Sequence, residues 1–146
     1  MDTIIGKERK QAILTVVERV SKFTALKKVE IKTAEQVSNA VISGLGSISD
    51  SILTITRNNG SKFVYHEIIS NKLNTEFYFA HPYSSCERGL NENTNGLIRQ
   101  YLKKGSDFSI VNDEYLIELI DKLNNRSRKI LGYLTPKKYL KEIELT

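Results

Sequence analysis

The stretch from Tyr83 to Lys104 carries the side chains with the clearest potential for chemistry. At helical spacing one face of it presents a single acid among an amide and two cations, in the order Glu92, Asn95, Arg99 and Lys103. Such a face is usually a solvated helix surface, held by ion pairs between side chains one turn apart. A lone carboxylate also admits a second interpretation, in which it faces a metal ion and a polyanion. The spacing alone leaves both interpretations open.

A second stripe at the same spacing predicts how this helix is held in the protein. It is largely apolar and consists of Leu90, Thr94, Leu97 and Tyr101. We expect the helix to begin between Glu87 and Asn91, and we expect Gly105 to end it. The acid and the cations would then share one rigid element.

The rest of the chain predicts a mixed sheet with helices packed on it. Short runs rich in β-branched residues predict strands near residues 1–5, 11–18, 23–29, 52–56 and 76–80. Thr33 and Gln36 form a capping box for a first helix, and a short helix is expected at about 65–73. Asn112 caps a later helix, and Thr135-Pro136 indicates a turn or a further helix start. This order of elements is typical of an α/β fold.

Composition limits the class of protein. The 146 residues suit one domain, and the net charge of +5 is compatible with a polyanionic partner without requiring one. A single cysteine excludes an intramolecular disulfide and, with two histidines, argues against a structural zinc site. No leader is evident and no stretch approaches the ~18 apolar residues that span a membrane. We therefore expect a cytoplasmic protein without membrane contact.

Four blocks of the sequence resemble one protein family. The segment ERGLNENTNGLIRQYLKKGSDFS resembles the last catalytic block of the bacterial transposases of the insertion sequence thirty family. MDTIIGKERKQAILTVVERVSKFT resembles the first block, TITRNNGSKF the second, and LNNRSRKILGYLTP the tail that follows the catalytic domain. The resemblance implies a ribonuclease-H-like fold of the retroviral integrase superfamily. It also implies one integrase-core domain over residues 1–146, with a truncated first strand and a basic C-terminal tail from about residue 124.

That resemblance also implies a catalytic set, with one departure. The family cleaves and transfers DNA strands with three acids that hold Mg²⁺ or Mn²⁺, and their positions fall on Asp2, Asn58 and Glu92. At the second position a neutral amide replaces the carboxylate, while Arg57 and Lys62 add positive charge beside it. All three changes weaken the attraction for a divalent ion. We therefore expect Asp2 and Glu92 as the remaining metal ligands, impaired metal binding and an inactive catalytic site.

Simpler interpretations of the same residues stay open. Asp2 is equally well a solvated residue at the end of the chain, and Asn58-Asn59-Gly60 is by itself an ordinary turn at the end of a strand. The chain could accordingly be a DNA-binding or transposase-pairing fragment without catalysis, or a remnant without function.

Basic side chains in the C-terminal half predict a partner. Each of them taken singly is more simply a solubilising surface charge, but as a set they could follow a phosphate backbone: Arg99, Lys103, Lys104, Arg126, Arg128 and Lys129. Such contacts position a protein on DNA without reading its bases. The expected partners are DNA, which would place the chain at the nucleoid, and a second copy or an intact transposase.

Overall fold

The computed structural model describes residues 1–57, 65–81 and 84–145, with only the backbone of residues 85–88. Within these ranges the strands are β1 (Asp2–Ile5), β2 (Ala12–Val17), β3 (Thr24–Val29), β4 (Thr54–Arg57) and β5 (Glu76–Phe79). The α-helices are α1 (Ala34–Leu45), α2 (His66–Leu73), α3 (Ser85–Ile98), α4 (Asp113–Asn124) and α5 (Pro136–Glu144). The α/β order expected from the sequence is confirmed, with α5 added after Thr135.

The strands combine antiparallel and parallel pairing. β2 lies between β1 and β3 and is antiparallel to both, with Asp2 opposite Thr15. β4 and β5 are parallel neighbours. The backbone nitrogen of Met1 donates a hydrogen bond of 2.5 Å to the carbonyl oxygen of Thr56, and this bond joins β1 to β4. The mixed arrangement therefore puts the start of β1 next to the end of β4.

Helices cover both faces of the three-stranded sheet that β1, β2 and β3 form. Adjacent residues of β2 point to opposite sides, as in any strand, and both sides are buried. Leu14 packs in a core with residues of α1 and α2, whereas Ile13 packs in a second core with residues of α3 and α4. A strand covered on both faces reads as a continuous apolar run, which explains the sequence AILTVV. Ile4 of β1 belongs to the second core, on the side of α3.

Local capping chemistry fixes where several helices begin. The side chain of Thr33 accepts a hydrogen bond from the backbone N–H of Gln36, and that of Asn112 accepts one from the N–H of Tyr115. Thr135 caps α5 in the same way, with Pro136 in its first turn. The predicted capping residues of α1 and α4 are confirmed. No helix within the described ranges has the length and apolar character needed to cross a membrane.

The predicted extent of α3 is wrong at both ends. It begins at Ser85, before the expected range, and ends at Ile98 instead of Gly105. After Ile98 the chain tightens into turns, because this path buries Leu102 and, further on, Phe108 against the sheet. Lys103 and Lys104 therefore lie beyond the helix and do not share its face with Glu92.

Candidate active site

Asp2 is held at the beginning of β1 by two hydrogen bonds. One oxygen of its half-buried carboxylate accepts the backbone N–H of Thr3 at 2.8 Å. The other accepts the side-chain amide of Asn95, on α3, at 2.9 Å. Asp2 shares the α3 side of β1 with Ile4, two residues on. The carboxylate is consequently fixed in orientation against α3. Asp2 is therefore more ordered than a solvated residue at the end of the chain, which was the simpler interpretation of the sequence.

Thr15 completes this polar cluster from the neighbouring strand. It lies opposite Asp2 in the β1–β2 pair and is fully buried. Its hydroxyl lies 3.2 Å from the side-chain oxygen of Asn95 and 3.2 Å from the backbone oxygen of Asp2. The Asn95 amide thus donates to one strand and accepts from the next. The signal for Thr15 in the sequence was a single hydroxyl inside an apolar strand.

Glu92 lies on α3 one turn before Asn95. Side chains three residues apart on a helix are neighbours, with Cβ atoms about 5–6 Å apart. The Asp2–Asn95 hydrogen bond therefore brings the carboxylate of β1 to the part of α3 that carries Glu92. Glu92 is exposed, so its carboxylate is open to solvent and to a ligand. The third predicted site residue, Asn58, lies outside the described residues.

A cleft with a volume of about 390 Å³ lies between the ends of β2 and β4, and its lining includes Met1, Arg57 and Asn91. Met1 and Asn91 are the chain neighbours of Asp2 and Glu92, but the two acids themselves do not line it.

Positive charge is buried next to this polar cluster. Arg57, the last residue of β4, is 1% exposed, and its guanidinium carbon lies 4.9 Å from the centre of the Phe79 ring. Burial lowers the pKa of Arg57 to about 10, against the opposing effect of the Asp2 charge, so this side chain stays cationic at neutral pH. Burial also lowers the pKa of the Met1 amino group to about 6; Asp2 opposes this shift and Arg57 adds to it.

This donor set does not fit the Mg²⁺ or Mn²⁺ that the sequence resemblance implied. Within the described ranges, no three acid, histidine or cysteine side chains are grouped closely enough to hold a metal ion. One carboxylate oxygen of Asp2 already accepts a hydrogen bond from the Asn95 amide, and Glu92 is solvent-exposed. The buried guanidinium of Arg57 lies nearby. A divalent ion prefers several anionic oxygens and no cation in its surroundings.

The first group of predicted DNA contacts follows α3 directly. One terminal nitrogen of Arg99 donates to the backbone oxygen of Ile5 at 3.2 Å, and the other lies 3.4 Å from the backbone oxygens of both Leu102 and Lys103. Partial burial lowers the pKa of Arg99. Arg99 therefore ties the turn to the end of β1, while Lys103 and Lys104 extend into solvent.

The second group follows α4 and lies against the first. Arg126 donates a hydrogen bond of 3.3 Å to the side chain of Gln100, which connects the two segments. Arg128 is half-buried and donates to the backbone oxygen of Leu123 at 3.4 Å, whereas Lys129 is exposed. Burial lowers the pKa of Arg128, and the neighbouring Arg126 charge adds to this shift. The two segments thus meet at this contact, and we call their six predicted basic residues together the basic surface.

The basic surface begins near the last residue of β1, whereas Asp2 lies near its first residue. Asn95 contacts the first residue of β1 and Arg99 contacts the last one, so α3 runs in the same direction as this strand. Three residues of strand span about 10 Å.

Two curated proteins are similar to almost the whole chain. The transposase for insertion sequence element IS4351 of Bacteroides fragilis is 49% identical over 98% of this chain and 44% of its own length. The transposase InsI for insertion sequence element IS30A of Escherichia coli K12 is 30% identical over 94% of this chain and 36% of its own length. The chain spans less than half the length of either relative. No family model matches the sequence.

A solved structure identifies the fold. The catalytic core domain of bovine immunodeficiency virus (BIV) integrase superposes with a TM-score of 0.68 at 21% identity, covering 99% of this chain and 94% of that domain. The chain therefore has the fold of an integrase catalytic core, the ribonuclease-H-like fold expected from the sequence. Over almost all of its length the sequence is similar to part of these insertion sequence transposases.

Proposed function

We propose that the chain is the catalytic-core domain of a transposase that binds DNA but does not carry out metal-dependent strand cleavage. The hydrogen bond between Asp2 and Asn95 is the main support for this assignment. It holds Asp2 against the turn of α3 that also carries Glu92, and these are the two acids that the family resemblance assigns to the catalytic set. A frayed strand or a purely solvated helix face would not produce this contact.

DNA is the proposed substrate, and the basic surface supports it. Lys103, Lys104, Arg126 and Lys129 are exposed and come from two segments that are in contact. The guanidinium groups of Arg99 and Arg128 donate hydrogen bonds to backbone oxygens, so we assign these two residues mainly to holding this surface in place. Contacts of this kind neutralise phosphates and give salt-dependent binding.

The proposed lack of cleavage follows from the charge of the site. Asp2 and Glu92 supply two carboxylates, and the third family position is the neutral amide of Asn58. A neutral oxygen cannot replace the charge of a carboxylate in holding a divalent ion. We therefore propose that DNA binding, which depends on the fold and the surface charge, is retained. Metal-dependent strand cleavage, which depends on three acids, is lost.

Nicking of supercoiled plasmid DNA with Mg²⁺ or Mn²⁺ tests the proposal. The wild-type chain should leave the plasmid intact, whereas Asn58→Asp should nick it and Asn58→Asp with Glu92→Gln should not. A second double variant, Asn58→Asp with Glu67→Gln, removes an exposed acid of α2 and should keep the activity. Circular dichroism and a DNA-binding assay confirm that each variant is folded and binds DNA.

Two results would contradict the proposal. Nicking by the wild-type chain that Glu92→Gln abolishes would show that the site is active as it stands. A folded, DNA-binding Asn58→Asp protein that does not nick even at saturating Mn²⁺ would show that Asp2 and Glu92 do not form the catalytic pair. Pairing with an intact transposase is a separate possibility, and co-expression that leaves transposition frequency unchanged would exclude it.

A further inference from the structure

We infer that Arg57 is a fixed internal cation beneath the site, which lowers the affinity of Asp2 and Glu92 for divalent ions independently of Asn58. This inference rests on the site proposed above and assigns a role to one more residue of this chain. Its consequence is that two separate changes, one neutral amide and one buried guanidinium, act against metal binding.

The position of Arg57 follows from the strand pairing. The hydrogen bond from Met1 to Thr56 joins β1 to β4, and the next residue of each strand is Asp2 and Arg57 respectively. Arg57 lies two residues after Ile55, which packs in the core of α1 and α2, so strand alternation points both side chains to that face. Asp2 points to the opposite face, toward α3. The guanidinium therefore lies on the side of β4 that faces α1 and α2, whereas the Asp2 carboxylate lies on the side of β1 that faces α3.

Aromatic packing keeps the guanidinium in this position. Arg57 pairs with Phe79 across β4 and β5, and its guanidinium carbon is 4.9 Å from the centre of that ring. The Phe79 ring in turn contacts His66 of α2 edge-on, at 4.9 Å between ring centres. A cation held over an aromatic face is stabilised as a cation. The charge is thus built into the fold and does not depend on a flexible side chain.

Burial determines how far this charge acts. A charge at the surface is screened by water and salt within about 8 Å at physiological ionic strength, whereas a buried one is screened much less. Arg57 is 1% exposed, so its field extends into the neighbouring polar cluster. Arg57 and Asp2 interact electrostatically, since the Asp2 charge acts to raise the pKa of Arg57. A dication at Asp2 would experience the same coupling with the opposite sign.

Titration of Mn²⁺ followed by electron paramagnetic resonance tests the inference, in a background that restores the third acid. The proteins to compare are Asn58→Asp alone and Asn58→Asp with Arg57→Gln, both without DNA. Removing the buried charge should strengthen Mn²⁺ binding about tenfold or more, since one unit charge interacts strongly with a dication in a low-dielectric interior. As a matched control, Lys72→Gln removes an exposed charge of α2 and should leave the affinity unchanged.

A second variant covers the case in which Arg57→Gln does not fold. In Asn58→Asp with Arg57→Met, the unbranched apolar side chain fills the same buried position without a charge. Mn²⁺ affinity should then rise by a similar factor over the protein that keeps Arg57. Equal affinities with and without the Arg57 charge, including no binding in either protein, would overturn the inference. Plasmid nicking plays no part in these readouts, so tight Mn²⁺ binding without nicking would count against the proposed function alone.

Discussion

The side-chain amide of Asn95 donates a hydrogen bond of 2.9 Å to the carboxylate of Asp2, from a position 93 residues away in the chain. This contact joins the first strand to α3 and defines the candidate site. Thr15 reinforces it from β2, with its hydroxyl 3.2 Å from the Asn95 side-chain oxygen. The acid at the start of the chain therefore lies against α3, the helix that carries Glu92.

A double-mutant cycle measures the strength of this contact. Asp2→Ala and Asn95→Ala should each destabilise the protein, and together they should cost less than their sum by about 1–2 kcal/mol, because a hydrogen bond to a charged group can be lost only once. Urea unfolding of the three variants and the wild type gives the coupling free energy. Asn93→Ala on the exposed side of α3 is the control and should not couple to Asp2→Ala. Strictly additive effects for Asp2 and Asn95 would contradict the structure.

The salt dependence of DNA binding tests the basic surface. Each phosphate contact releases condensed counterions, so Lys103→Ala with Lys104→Ala should reduce the slope of log affinity against log salt concentration by about 1–2. The matched pair Lys27→Ala with Lys72→Ala removes the same charge from exposed positions on β3 and α2. Fluorescence anisotropy with a duplex oligonucleotide over a range of salt concentrations provides both slopes. Equal slopes for the two pairs would show that net charge alone governs binding.

Acid should weaken the connection between β2 and β3. The carboxylate of Glu18 accepts hydrogen bonds from the backbone N–H of Val20 at 2.9 Å, the N–H of Ser21 at 2.5 Å and the Ser21 hydroxyl at 2.6 Å. Burial acts to raise the pKa of Glu18, but these hydrogen bonds outweigh it and hold the pKa below its ordinary value of 4.5. Because the folded-state pKa is depressed, the stabilisation is present above the unfolded pKa and is lost as pH falls through the folded one.

The variant Ser21→Ala makes this effect measurable. It should cost about 1 kcal/mol near neutral pH, at the low end for a charged acceptor because Glu18 is solvent-exposed. The cost should shrink once pH falls below the folded-state pKa of Glu18. In a Glu18→Gln background the cost of Ser21→Ala should not change with pH. Unfolding free energies across the acidic range provide the comparison, and a pH-independent cost in the wild-type background would refute the assignment.

Asn124 should be far more important for stability than its neighbour. At 2% exposure, its amide donates to the backbone oxygen of Thr24 and accepts from the backbone N–H of Thr24, both at 2.8 Å. Asn124→Ala leaves two buried backbone groups without these partners and should cost about 2–4 kcal/mol. Asn125→Ala removes only exposed hydrogen bonds to Asp121 and should cost less than about 1 kcal/mol. Similar losses in denaturant unfolding would contradict this role of Asn124.

Local chemistry made several elements predictable from the sequence. The hairpin of β2 and β3 follows from two β-rich runs separated by a short polar link, and the starts of α1 and α4 follow from the capping residues Thr33 and Asn112. In each case the determining interaction lies within a few residues along the chain. The family resemblance contributed the fold class, which the integrase structure confirms.

Interactions between distant parts of the chain explain what was missed. The residues after Ile98 look helical by spacing, but the burial of Leu102 and Phe108 against the sheet diverts the chain into turns. Arg57 resembles an exposed strand-end cation until β5 places Phe79 beside it. Asn95 was visible on the face of Glu92, but its bond to Asp2 depends on the packing of α3 against β1.

The central claim is that Asp2 and the polar face of α3 form one site, and the side-chain amide resonances of Asn95 test it most directly. In ¹⁵N-resolved nuclear magnetic resonance spectra, these resonances should shift between the wild type and Asp2→Ala, because the Asp2 carboxylate is their hydrogen-bond acceptor. The side-chain amide resonances of the exposed Asn93 should stay in place and serve as the control. If the Asn95 resonances are the same with and without the Asp2 carboxylate, Asp2 and α3 do not share a site and the account is wrong.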